Sequence, residues 1–161
     1  MLKEIFKNVF LSTSLIPDEQ YQELKSRLRE HEGAKHSAYQ DSKGYWTIGI
    51  GRLIDARKGG KITSDEMLYL LDNDIKRSSS ELKPYQWFTK QDKVRQDVLI
   101  ELVISMGLGS LLGFKNMIAA LEKKDYVQAG RELVDSKWAI QDVSHARSTN
   151  VRFRLEHGRY S

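Results

Sequence analysis

The sequence contains no cysteine. Disulfide staples and thiolate metal sites are therefore excluded, and a reducing compartment is tolerated. No stretch approaches the roughly 20 apolar residues that a membrane-spanning helix needs, so stable membrane insertion is not expected. The opening residues, Met1-Leu2-Lys3-Glu4-Ile5-Phe6-Lys7-Asn8, are too polar for the apolar core of a secretion signal. The expected location is the cytoplasm of the producing cell until another factor releases the protein. There is no run of five or six like charges and no basic stripe interleaved with aromatics, so nucleic acid is not an expected partner. His36, His145 and His157 lack metal-ligand spacing, and no metal or cofactor is expected. Prolines number only two, Pro17 and Pro84, and internal repeats, low-complexity stretches and linkers are missing.

What remains is the balance of an ordinary globular protein. Of 161 residues, 40% are apolar and 30% charged. A chain of this length buries roughly two thirds of its unfolded surface and needs no staples. It suits one domain, or two small lobes sharing a helix, and a monomer is expected. The net charge of +4 fits either a solvated basic surface or an anionic partner such as the bacterial envelope.

Leu2, Ile5, Phe6, Val9 and Phe10 fall at helical spacing and form an apolar face. It either packs on the body of the protein or docks on a membrane surface or partner. Pro17-Asp18-Glu19 reads as a helix start, with Tyr21, Leu24 and Leu28 as its inward stripe and Glu32-Gly33 as its end. Ala38-Tyr39-Gln40 and Tyr45 to Ile50 read as two strands joined by turn residues Asp41 to Gly44. A third strand is expected near Ile62, after Lys58-Gly59-Gly60-Lys61. Thr63 to Glu66 is a capping box. The helix it opens should carry Met67, Leu70, Leu71 and Ile75 inward and stop by Pro84. Thr89 should open a buried central helix through Met106, followed by shorter helices near 114–121, 126–134 and 144–156.

The stretch from Glu32 to Gly51 carries the chemistry. It sets one carboxylate at a helix end, a second (Asp41) at a hairpin, and a hydroxyl (Thr47) on the next strand. Glycoside hydrolysis needs such a pair: one carboxyl to give a proton to the leaving oxygen, another, ionised, to activate water or stabilise the oxocarbenium-like transition state. Glu32, packed where helix meets sheet, suits the acid, and Asp41, on a turn, suits the base. On residue types alone the plainer reading is the commoner one: a surface glutamate, a turn aspartate and a strand threonine.

The surrounding phrase reads His31-Glu32-Gly33, Tyr39, Asp41, then Gly44-Tyr45-Trp46-Thr47-Ile48-Gly49-Ile50-Gly51-Arg52-Leu53. It resembles the catalytic segment of the T-even bacteriophage lysozymes, glycoside hydrolase family 24. Glu32, Asp41 and Thr47 keep that family's residue types and spacing. Ile62 to Glu66, Asp72 to Ile75, Leu99 to Val103 with Met106-Gly107, Gly113-Phe114 with Asn116, and Ser136 to Trp138 extend the resemblance over most of the chain. The first 16 residues lie outside it.

The resemblance implies an α+β lysozyme fold: mainly helical, with a small three-stranded antiparallel β lobe and a helical C-terminal lobe. A single domain, 1–161, would comprise a β lobe at about 33–65 and a helical lobe of 1–32 plus 84–161, joined by the helix 64–83. It implies hydrolysis of the β-1,4 bond between N-acetylmuramic acid and N-acetylglucosamine in bacterial peptidoglycan. Glu32 would be the general acid. Asp41 would be the general base, with Thr47 positioning water and the anomeric centre inverting. Leu53 and Phe114 would line the substrate cleft, or belong to the core. The biological setting implied is host-cell lysis in phage release, after holin-type escape from the cytoplasm.

Three departures stand out. Arg52 replaces the family's usual histidine, and the resemblance implies an ion pair with Asp74. His31 replaces an acidic residue, and the C-terminal helix would supply a partner arginine at Arg147. Ser105 and Glu132 replace amide side chains of the cleft. Two other functions compete. A lytic transglycosylase uses a glutamate acid without water, which leaves Asp41 and Thr47 without a task. A non-catalytic envelope-binding or tail protein would need none of the three residues.

Overall fold

The computed structural model describes residues 18–160. The apolar N-terminal face from Leu2 to Phe10 lies outside the described residues. The chain forms two compact units, Met1–Ser64 and Asp65–Ser161.

In the first unit, helix α1 (Asp18–Glu32) leads into strands β1 (Lys35–Gln40), β2 (Trp46–Gly49) and β3 (Arg52–Leu53) and a short 3-10 turn, Ala56–Lys58. The sheet is antiparallel, in the order β1-β2-β3. Tyr39 faces Thr47 and Thr47 faces Leu53, so the three share a line across the sheet. A bulge between Lys35 and Tyr39 bends β1. The third strand is Arg52–Leu53 rather than a segment near Ile62. Gly49 and Gly51 both take left-handed backbone angles, φ 68° and 69°, and reverse the chain directly after β2. Leu24 and Leu28, expected inward, remain exposed. Among the described residues the unit buries only Thr47 and Asp55, both polar, so the stripe has no apolar core of its own to join.

The second unit is helical. It comprises α2 (Ser64–Leu82, whose first residue closes the first unit), α3 (Gln86–Thr89), α4 (Lys93–Met106), α5 (Leu108–Leu112), α6 (Lys115–Glu122), α7 (Tyr126–Val134), a π-turn (Trp138–Asp142) and α8 (His145–His157). Helix α2 starts directly after Thr63 and stops before Pro84, as its capping box and breaker require. Its buried residues are Ser78 and Leu82. Met67, Leu70, Leu71 and Ile75 stay at least two fifths exposed, because the helix joins the apolar core only in its last turns. Helix α4 begins later than Thr89, at an N-cap where the Asp92 carboxylate accepts from the Arg95 N–H at 3.1 Å. Val98, Leu99, Leu102 and Val103 are buried on α4, which makes it the central helix that its all-round apolar pattern predicts.

Helix α4 packs on α8, α7 packs on both α6 and α8, and the core closes with Met117, Leu121, Leu133, Trp138, Val151 and Leu155. Arg95 ties the two ends of this unit together. It is buried, and donates from Nε to Leu155 O and from Nη2 to Glu156 O, both at 2.7 Å. Its Nη1 pairs with Asp92, and its guanidinium sits 3.4 Å from the Tyr126 ring centroid. A cation that satisfies the last carbonyls of α8 also complements that helix's dipole.

Candidate active site

Asp41 closes the β1–β2 turn. Its Oδ1 accepts from the backbone N–H of Lys43 at 2.9 Å and of Tyr45 at 2.8 Å. Its own N–H donates to Tyr45 O at 2.9 Å. These bonds are turn chemistry, and they also fix the carboxyl group in place. Thr47 is buried, and its hydroxyl donates to the same Tyr45 carbonyl at 3.3 Å. Tyr45 thus holds both residues through its backbone, Asp41 on its N–H and Thr47 on its C=O. No side-chain pattern announces this role, which is why the residues alone do not show it. Leu53 is half-buried directly opposite Thr47.

Glu32 ends α1 and is exposed rather than packed away, since the described part of this unit has no apolar core to bury it. Its carboxyl lies against the backbone of Gly51, so closely that a β-carbon there would sit 2.8 Å from Oε2 and 3.2 Å from Cδ. With φ at +69°, Gly51 is strained for any other residue as well. The glycine therefore serves two ends: it turns the chain from β2 into β3 and leaves room for the Glu32 carboxylate. The first unit thus brings Asp41 and Thr47 to Tyr45, and Glu32 to the glycine four residues after Thr47.

Arg52 opens β3 opposite Ile48. Asp74 lies on α2, where Arg77 Nη2 donates to it at 2.5 Å. Phe114 is half-buried in the second unit and lines a cavity of about 450 Å³ with Met106, Ser136, Lys137, Trp138 and Asp142. Ser105 accepts from the Trp138 indole N–H at 2.9 Å. Glu132 accepts from Gln128 at 2.7 Å and from Asn116 at 3.3 Å. Arg147 Nε bonds Glu101 at 3.2 Å. A larger hollow, about 580 Å³, lies beside Val143, His145 and Phe153. It holds none of the predicted site residues. Among the described residues no cluster of His, Cys, Asp or Glu could hold a metal ion, and no helix is long and apolar enough to cross a membrane.

The α+β architecture, mainly helical with a small three-stranded antiparallel sheet, is that of a lysozyme fold. Comparison with known proteins agrees. The family model for phage lysozyme matches residues 29–149, a span that includes every candidate site residue. A probable T4-type lysozyme 1 from Dictyostelium discoideum is 27% identical over 162 residues, covering 84% of this chain and 94% of that protein. A probable T4-type lysozyme 2 from the same organism is 28% identical, over 73% of this chain and 85% of its own length. The pre-baseplate central spike protein Gp5 of Enterobacteria phage T4 is 26% identical over 76% of this chain, a match that takes in only 26% of Gp5. The chain belongs to the phage lysozyme family. It is a glycoside hydrolase of the lysozyme type, acting on peptidoglycan.

Proposed function

We propose that the protein is an N-acetylmuramidase that hydrolyses the β-1,4 bond between N-acetylmuramic acid and N-acetylglucosamine, with Glu32 as general acid. The observation that carries this is the cradle of the Glu32 carboxyl against Gly51, in the same unit as the Asp41–Tyr45–Thr47 linkage. Asp41 acts as general base. Its two backbone donors both meet Oδ1, and Oδ2 takes the proton of the attacking water. Thr47 orients that water by accepting a hydrogen bond from it at Oγ1, while its own hydroxyl hydrogen stays on Tyr45 O at 3.3 Å. Direct attack of water inverts the anomeric centre, and this route calls for carboxyl groups about 6.5–9.5 Å apart.

Leu53, beside Thr47, and Phe114 offer apolar faces to sugar rings. The protein works as a monomer, stays in the host cytoplasm until a holin-type lesion opens, and then lyses the wall in phage release.

Cell-wall clearing by Glu32→Gln against wild type tests the acid directly. Equal clearing would remove Glu32 from the mechanism. Proton NMR of the fresh reducing ends tests the rest: the inverted anomer is expected, and 1,6-anhydro ends would instead mark a transglycosylase.

A further inference from the structure

Among the described residues a single buried side-chain oxygen or nitrogen lacks a hydrogen-bond partner: Oε1 of Gln91. Gln91 lies on the turn between α3 and α4 and is 8% exposed. Its amide Nε2 donates to Trp87 O at 2.8 Å and to Leu121 O at 3.3 Å. Those two bonds fix the orientation of the amide and leave its carbonyl end without a donor. A carbonyl oxygen shut away in this manner costs about what a lost hydrogen bond costs. Folded proteins keep few such groups.

Gln91 also lines a cavity of about 180 Å³. Trp87 and Leu121, both buried, share the lining with the exposed Lys90, Glu122 and Lys124. Lys124 takes a left-handed backbone angle, φ 58°, alone among the described non-glycine residues. Its N–H bonds Leu121 O at 3.1 Å, the same carbonyl that holds Gln91. The turn after α6 thus accepts a disfavoured conformation and carries Lys124 to the edge of the cavity. Every lining residue belongs to the second unit, and none is a candidate catalytic residue.

An amide oxygen only accepts, so a ligand for it must donate. A carboxylate or a fully ionised phosphate has no proton to give. A cation has one, but it meets two lysines against a single glutamate. A neutral group with one donor and one acceptor fits both ends: its N–H on Gln91 Oε1, its C=O on a lysine ammonium. An acetamido group is such a group, and each N-acetylated sugar of a peptidoglycan strand carries one. The volume is below the roughly 300–1,000 Å³ of a drug-sized site, which suits one sugar and its acetamido arm. We propose that this cavity is a second glycan site, taking an N-acetylhexosamine of the polymer with its acetamido group on Gln91. The inference rests on peptidoglycan as the substrate and on neither Glu32 nor Asp41. Binding needs the exposed side chains at the edge to swing aside, a motion of picoseconds to nanoseconds.

Proton–nitrogen NMR of the full chain tests this, with chitobiose as the probe and cellobiose, the same disaccharide without acetamido groups, as the control. The Gln91 side-chain amide and the Trp87 indole N–H should shift with chitobiose and stay in place with cellobiose. Gln91→Leu removes the acceptor and should weaken the Trp87 response about tenfold, the worth of one good hydrogen bond. Lys90→Ala/Lys124→Ala changes only exposed side chains and should weaken it too, with a wild-type melting curve. On sacculi both variants should raise KM and leave kcat unchanged, because the site binds polymer and touches no reacting atom. No shift at Gln91 and Trp87, an equal shift with cellobiose, or a full response in both variants would overturn the proposal. Glu32→Gln should respond to chitobiose as wild type does. That response in a Glu32→Gln protein that still clears walls would fault the catalytic assignment alone. An absent response in an inactive Glu32→Gln protein would fault the second site alone.

Discussion

Between Leu82 and Leu155 seventeen apolar side chains are buried. Between Gln22 and Ser64 none is, and the two buried residues there are a threonine and an aspartate. The helical unit is held by area removed from water, at about 25 cal/mol per Å². The β-bearing unit is held by turn hydrogen bonds, ladder bonds and the Asp55–Arg57 pair. The contrast teaches how this chain divides its labour. The unit that carries the candidate acid and base fixes Asp41 by two backbone N–H bonds and sets Glu32 against the Gly51 backbone. The other unit supplies stability.

The sharpest test of this division is to remove the acid. Glu32→Gln should lower wall-clearing activity by about 10²–10⁴-fold, the usual worth of general acid catalysis, with an unchanged melting curve. Coupled loss of activity and stability would mean that Glu32 is structural. The converse is Leu102→Ala in the centre of α4. It should cost about 2–5 kcal/mol in denaturant unfolding, while kcat per folded molecule stays near wild type.

Gly51→Ala should sit between these. Left-handed backbone strain costs about 1–2 kcal/mol, and the displaced Glu32 carboxyl should cut kcat more than it raises KM. An alanine variant with wild-type kcat would show that the close approach is not needed for turnover.

The smallest effect concerns pH. The hydrogen bond from the Arg57 side chain holds the Asp55 carboxyl at about 2, below its ordinary 3.8. A carboxyl depressed in the folded state stabilises above its unfolded value and loses that contribution as pH falls from about 4 toward 2. Acid unfolding of the first unit should therefore steepen in that window, and Asp55→Asn should flatten it. An unaltered acid limb in Asp55→Asn would show that the pair contributes nothing.

The helical unit was largely legible in the residues, because apolar spacing and caps decide it. Helix α4 announces itself by an all-round apolar pattern, and α2 by Thr63 at one end and Pro84 at the other. The β unit was legible through turn residues and, for its chemistry, through the spacing of Glu32, Asp41 and Thr47 within a family phrase. What escaped has a common cause. The third strand, the Tyr45 linkage and the nearness of Gly51 to Glu32 all depend on backbone geometry or on contacts between elements. Periodicity reads side-chain pattern along one element, and these features cross elements. Leu24, Met67 and Leu70 look inward by the same rule, yet remain exposed. An amphipathic stripe states which face is apolar, not how much of it is covered.

The chain's three tryptophans are divided between the units. Trp46 lies on β2 and is 47% exposed, whereas Trp87 and Trp138 are 7% and 4% exposed in the helical core. Their emission should differ in colour, long-wavelength from Trp46 and short-wavelength from the other two. Trp46→Phe would therefore leave a probe of the helical unit alone, and Trp87→Phe/Trp138→Phe a probe of the β unit alone. One denaturation series on these two proteins would show, by optical means and without any substrate, whether the turn-held unit melts before the packed one.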